Sequence, residues 1–96
     1  MSSFNLILSE LAEKELADAY IYYESKSNLL GEKLILEVES ILEKIEKNPH
    51  LFPRRYKHYR EAVLKKFPYL LVYEILEKQI VIHSVFNTHR NPAKKL

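Results

Sequence analysis

The chain has 96 residues, a formal net charge of +2 and no cysteine. A chain of this length makes one domain, here residues 1–96, and buries about 60–65% of the surface its unfolded form exposes. The absence of cysteine excludes disulfide staples and thiolate metal sites and suits a reducing cytoplasm. The opening MSSFNLILSE has neither the basic start nor the long apolar run of a signal peptide, and the longest apolar run, Tyr69 to Tyr73, is too short to span a bilayer.

Phe4 to Leu8 alternates as a short strand and ends at Ser9, whose hydroxyl suits the N-cap of a helix. Glu10 and Glu13 then fall in the first turn, where the helix dipole favours acids. Leu11, Ala12, Leu16, Ala19, Tyr20 and Tyr23 recur at spacings of three and four and predict a helix to about Lys26. The aromatic cluster Tyr20, Tyr22, Tyr23 reads as core plus rim, because tyrosine buries a ring and leaves a wet hydroxyl. After a polar break, Asn28 is placed to cap a second helix from about Leu29 to Lys47, with a stripe of Leu30, Leu34, Val38, Ile41, Leu42 and Ile45. Asn48-Pro49 ends it, since proline lacks the donor and restricts the residue before it. So short a break folds the two helices into an antiparallel hairpin.

Pro49 to Lys57 reads as an irregular, extended connection pinned to the core by Leu51 or Phe52. Its basic pair Arg54-Arg55 is either a solvated loop or a contact to an anionic partner. Tyr59 to Leu64 alternates, with Arg60, Ala62 and Leu64 on one face and Tyr59, Glu61 and Val63 on the other. Lys65 to Pro68 turns the chain into Tyr69–Leu76, nearly all apolar and therefore a central strand. A turn at Glu77 to Gln79 leads to a strand over Ile80–Phe86, in which Ile80, Ile82 and Phe86 alternate with Val81, His83 and Val85. The remainder, from Asn87, reads as a tail. The expected fold class is α+β, in the order β-α-α-β-β-β, with a helical hairpin on one face of a small, mostly antiparallel sheet.

Charge divides along the same line. Residues 1–53 hold ten acids against five lysines, and residues 54–96 hold ten bases against three acids. A basic sheet half on an acidic helical scaffold suits an anionic partner, or simply reflects the glutamate-rich helices. One glycine cannot build a phosphate-cradling loop, and there is no H-E-x-x-H, no G-x-S-x-G and no ligand spacing among His50, His58, His83 and His89. No cofactor or metal site is expected. One chemistry needs none of these motifs, namely RNA cleavage by the neighbouring 2′-hydroxyl, which requires an acid, a base and cations for the charged phosphorane. His89 suits proton transfer, Arg60 and Arg90 suit a bidentate phosphate clamp, and Lys65 or Lys66 would add charge. The same arginines read equally as surface or partner-binding residues, and His83, in mid-strand, as a packed or edge histidine.

Taken together, LAEKELADAYIYY, NPHLFP, YREAVLKK, FPYLLVYEI and IVIHSVFNTHRNP resemble, over nearly the whole chain, the toxins of the RelE/ParE superfamily from type II toxin–antitoxin modules. That resemblance implies the same β-α-α-β-β-β fold and a growth-inhibiting, plasmid-stabilising toxin neutralised by a cognate antitoxin. RelE-like members cleave mRNA in the ribosomal A site, whereas ParE-like members inhibit DNA gyrase and are not nucleases. Arg60, His89 and Arg90 fall where the nuclease branch carries catalytic residues, yet no tyrosine follows Arg90. The helical hairpin with Tyr22-Tyr23 and the modest charge are closer to the ParE branch, so the expected target is gyrase, with ribosome-bound mRNA the alternative.

Overall fold

The computed structural model describes residues 4–89. Its elements are β1 (Asn5–Leu8), α1 (Glu10–Lys26), α2 (Leu30–Lys47), β2 (Arg54–Tyr56), β3 (Tyr59–Val63), β4 (Tyr69–Leu76) and β5 (Gln79–Asn87). The five strands form one sheet in the order β1-β5-β4-β3-β2, antiparallel except where β1 runs parallel to β5. The expected α+β architecture is present, with one more strand than the sequence pattern predicts. β2 lies in the supposed irregular connection. Its three residues are all exposed, so no apolar alternation marks it.

α1 starts at the expected cap. The Ser9 hydroxyl accepts from the Ala12 amide at 3.0 Å and donates to the His83 carbonyl at 2.9 Å, so one side chain both starts the helix and ties it to β5. Ala12 and Ala19 are the buried residues of α1, and Tyr23 packs edge-on against Phe67 (ring centroids 5.0 Å apart). Leu11 belongs to the sequence stripe but is 51% exposed. α2 buries Leu34, Val38, Ile41 and Ile45 against the sheet as its pattern requires.

Asn28 does not cap α2. The N-cap is Leu29 in the left-handed region (φ 68°), and the Glu24 carboxylate of α1 accepts from the amides of Leu29 (3.3 Å) and Gly31 (2.9 Å) in its place. A carboxylate at a helix N-terminus meets both the free amides and the positive end of the dipole. Gly31 is needed there because the two helices nearly touch. A Cβ on it would lie 2.7 Å from the Tyr20 carbonyl oxygen and 2.8 Å from the Tyr20 ring.

The core fills the layer between helices and sheet. Tyr69, Leu71 and Tyr73 of β4 and Ile80, Ile82 and Val85 of β5 face it, while Leu70, Val72 and Phe86, packed with Tyr59, form a smaller cluster of their own. Val85 and Phe86 are thus exchanged relative to simple alternation. Val72 pairs with Ser84 but Tyr73 pairs with Ile82, so His83 is an extra residue in β5. Such a bulge shifts the side-chain phase of everything beyond it.

The close helix contact yields a prediction. Although alanine is the better helix former by about 1 kcal/mol, Gly31→Ala is expected to destabilise the fold by a net amount of about 1–3 kcal/mol, because the backbone oxygen of Tyr20 cannot step aside. Urea denaturation measures it, and an unchanged midpoint would mean that the helices separate freely.

Candidate functional site

Residues paired across a sheet share a face, and Arg60 pairs with Tyr73, which has no accessible surface in the helix-side core. The Tyr73 hydroxyl donates to the Pro49 carbonyl at 2.7 Å. Beside it the Arg60 guanidinium donates to the carbonyls of Phe52 (2.6 Å) and His50 (3.4 Å) and to His50 Nδ1 (3.3 Å). Arginine only donates, so His50 Nδ1 is the acceptor in that contact. These bonds fasten the α2–β2 connection to the sheet and engage both terminal nitrogens of Arg60. Burial pushes the Tyr73 phenol above its ordinary value of 10.0, against the Arg60 guanidinium and a backbone hydrogen bond at Phe52, which pull it down.

His89 lies just past the end of β5, its amide bonded to Asn87 Oδ1 at 2.8 Å. It borders a groove of about 850 Å³ that also touches Lys14, Tyr22 and Phe86. Arg60 and His89 are not brought together. Arg60 is level with Tyr73, and Asn87 is level with Tyr69, four residues along β4. At about 3.3 Å per residue and 4.8 Å per strand, that is roughly 13 Å along the sheet and 10 Å across it. Arg90 lies outside the described residues. Lys65 and Lys66 sit in the β3–β4 turn, which Glu37 of α2 holds by accepting from the Lys65 amide (2.6 Å) and the Lys66 amide (3.1 Å).

The structure gathers a different group. Glu74, buried on β4, receives His58 Nε2 on one carboxylate oxygen at 2.7 Å and His83 Nε2 on the other at 2.6 Å. Tyr59 packs between the two imidazoles, with centroids 4.6 Å from His58 and 5.4 Å from His83. Each imidazole donates one N–H, which satisfies the buried carboxylate whether or not the rings are charged. This clasp joins the β2–β3 turn to β5 across β4. Sequence reasoning passed over it, although Glu74 is the only charged residue in the strand YLLVYEIL and a buried charge demands partners. His83, expected as a packed or edge histidine, is half-buried on β5 with Glu74 as its partner. Among the described residues no group of three or more His, Cys, Asp or Glu side chains is placed to hold a metal ion.

A second feature is a groove of about 740 Å³ between α2 and the β3 side of the sheet. Its floor includes Ile41, Phe52 and Phe67, its rim carries Lys33, Lys44, Lys65 and Lys66, and Leu36 and Val63 are 64% and 58% exposed beside it.

The model of the ParE toxin of the type II toxin–antitoxin system parDE matches residues 6–92, which takes in both helices and nearly the whole sheet. The chain belongs to the ParE toxin family. Toxin ParE2 of Mycobacterium tuberculosis, in the CDC 1551/Oshkosh and ATCC 25618/H37Rv strains alike, is 28% identical over 81 residues, covering 83% of this chain and 77% of the relative. The solved chromosomal ParDE system from P. aeruginosa contains a chain that superposes with a TM-score of 0.65 at 19% identity, over 88% of this chain and 96% of that one. At that identity the match speaks for the fold: two helices on an open five-stranded sheet. The superfamily resemblance therefore holds, and on its ParE rather than its RelE side.

Two variants test the geometry of this ParE-family chain. Glu74→Gln puts an amide donor against one imidazole N–H and is expected to lower stability by about 1–3 kcal/mol in urea, whereas a loss below about 0.3 kcal/mol would mean the clasp is idle. Tyr73→Phe should cost about 1–2 kcal/mol at neutral pH by leaving the Pro49 carbonyl unpaired. A raised folded-state phenol gives stability that is complete below pH 10.0 and is lost as the pH rises through the folded value. Thermal melts from neutral to alkaline pH should therefore fall less steeply in Tyr73→Phe than in the parent. The Tyr23 phenol, raised by burial and by Tyr22, adds an alkaline loss in both proteins.

Proposed function

We propose that this ParE-family toxin arrests growth in the cytoplasm by binding DNA gyrase, without catalysis of its own, and that a cognate antitoxin silences it. The observation that carries the non-catalytic reading is the position of Arg60. Its guanidinium is committed to the backbone at His50 and Phe52, and His89 lies at the far end of the sheet. A nuclease clamp needs its cations and its acid within reach of one phosphate. Arg60 serves here as a fastener, and the basic half serves binding. A cytoplasmic site of action is consistent with the helices, none of which among the described residues is long and apolar enough to cross a membrane.

The groove between α2 and β3 is the seat we assign to the antitoxin. Its apolar floor and four-lysine rim fit an amphipathic segment that carries acidic residues beside its apolar ones. The structural neighbour from P. aeruginosa belongs to a chromosomal ParDE toxin–antitoxin system.

Purified toxin is expected to inhibit gyrase supercoiling of relaxed plasmid at micromolar concentration. Supercoiling left untouched, together with new codon-linked 5′ ends on transcripts that vanish in Arg90→Ala, would overturn the reading in favour of ribosome-dependent cleavage. For the groove, Leu36→Glu replaces exposed apolar surface with a charge that repels an acidic segment, without disturbing the core. It should weaken the complex with the cognate antitoxin by about tenfold or more, a loss of roughly 1.4 kcal/mol, as read by calorimetry. Unchanged affinity would remove the antitoxin from this groove.

A further inference from the structure

The most concentrated positive charge among the described residues stands apart from both grooves, on the β2–β3 hairpin. From Arg54 to His58 the sequence is RRYKH, and every residue of it is exposed. The hairpin is short and firmly held. Arg54 pairs with Arg60 and Tyr56 with Tyr59, and the Glu61 amide donates to the Pro53 carbonyl at 3.2 Å. The turn is closed by Lys57 in the left-handed region (φ 53°). At its base the Glu74 carboxylate grips His58. Arg55 is the extra residue of the irregularity between Arg54 and Tyr56, and a bulge there re-aims a side chain out of the ladder. A hydrogen-bonded ribbon thus presents Arg54, Arg55 and Lys57 to solvent.

We infer that this hairpin is a contact for the phosphate backbone of duplex DNA. Arginine and lysine on an exposed ribbon meet phosphates through charge and counterion release, with no need of base contacts. Single-stranded nucleic acid is the poorer fit, because it is held by bases stacked on free aromatic faces. Here Tyr56, 57% exposed, is the one open ring of the hairpin, too few for a stacked run of bases. The Lys57 ammonium lies over the Tyr56 ring at 5.3 Å, and Tyr59 is packed between His58 and His83. His58 is held to Glu74 through Nε2 and fixes the turn against the sheet. The inference stands on the hairpin alone and does not depend on the gyrase reading.

The test is fluorescence anisotropy of the full chain with a labelled duplex of arbitrary sequence, across a salt series starting near 50 mM. The parent should bind with a log–log salt slope of about −3, for about 0.9 per phosphate neutralised. Arg54→Ala/Arg55→Ala should weaken binding about tenfold or more and flatten the slope by about 2, while Lys57→Ala flattens it by about 1. Lys14→Ala, on α1 and paired with Asp18, should change neither. All variants are checked for native circular dichroism, and the exposed positions leave the core untouched. Parent-like duplex affinity and slope in the natively folded double variant would overturn the inference. So would tighter binding of a single-stranded RNA of the same length, or no duplex binding at low salt.

Discussion

A fully buried tyrosine hydroxyl must find an acceptor, and Tyr73 finds it in the chain that leaves α2. That one requirement organises this half of the molecule. Asn48-Pro49 stops the helix, the Pro49 carbonyl turns inward to Tyr73, and Arg60 takes the next available carbonyls at His50 and Phe52. The connection is thereby laid flat against the sheet, so that the following residues reach the edge of β3 and pair as β2. Charge-assisted bonds from a guanidinium to backbone oxygens contribute more than neutral ones, roughly 1.5–3 kcal/mol each. The edge hairpin and one wall of the α2 groove inherit their position from this fastening.

The two faces of the sheet do different things as a result. Toward the helices, Leu71, Tyr73, Ile80 and Ile82 are buried with α1 and α2, and polar groups there serve as anchors: Ser9 on the His83 carbonyl, Glu15 on Ser84 and Val85, Glu37 on the Lys65 and Lys66 amides. Away from that core, the Glu74 clasp gathers His58, Tyr59 and His83 around one buried carboxylate. The hairpin, the β3–β4 turn and the groove rim carry exposed cations outside this core, and the proposed binding reading rests on those surfaces.

Much of the fold was legible in the sequence because the periodicities are strong. The α2 stripe, the Ser9 cap, the Asn48-Pro49 stop and the apolar run of β4 each have one good structural solution. What was not legible depends on contacts between distant residues. Asn28 carries the capping signal, but Glu24 reaches across the helix turn and wins. β2 is polar on every residue and exists only because Arg60 and Tyr73 deliver it to an edge. The bulge at His83 exchanges Val85 and Phe86, which alternation cannot foresee. For the site, the charge of the sheet half and then the family resemblance drew attention to Arg60, but a strand arginine's partners are set by the face it occupies. Glu74, His58 and His83 meet only after three strands are aligned, so their sequence spacing carries no trace of the clasp beyond the oddity of a charge within β4.

The α2–β2 connection and the edge hairpin depend on the Arg60 guanidinium for their position. Amide hydrogen exchange in Arg60→Ala tests that dependence directly. The Leu51 and Glu61 amides, bonded to the Asn48 and Pro53 carbonyls, should lose protection by about tenfold or more, while the Ser9 amide on Ile82 and the Leu64 amide on Tyr69 keep theirs. Protection that persists at Leu51 and Glu61, or that falls equally at all four, would contradict it.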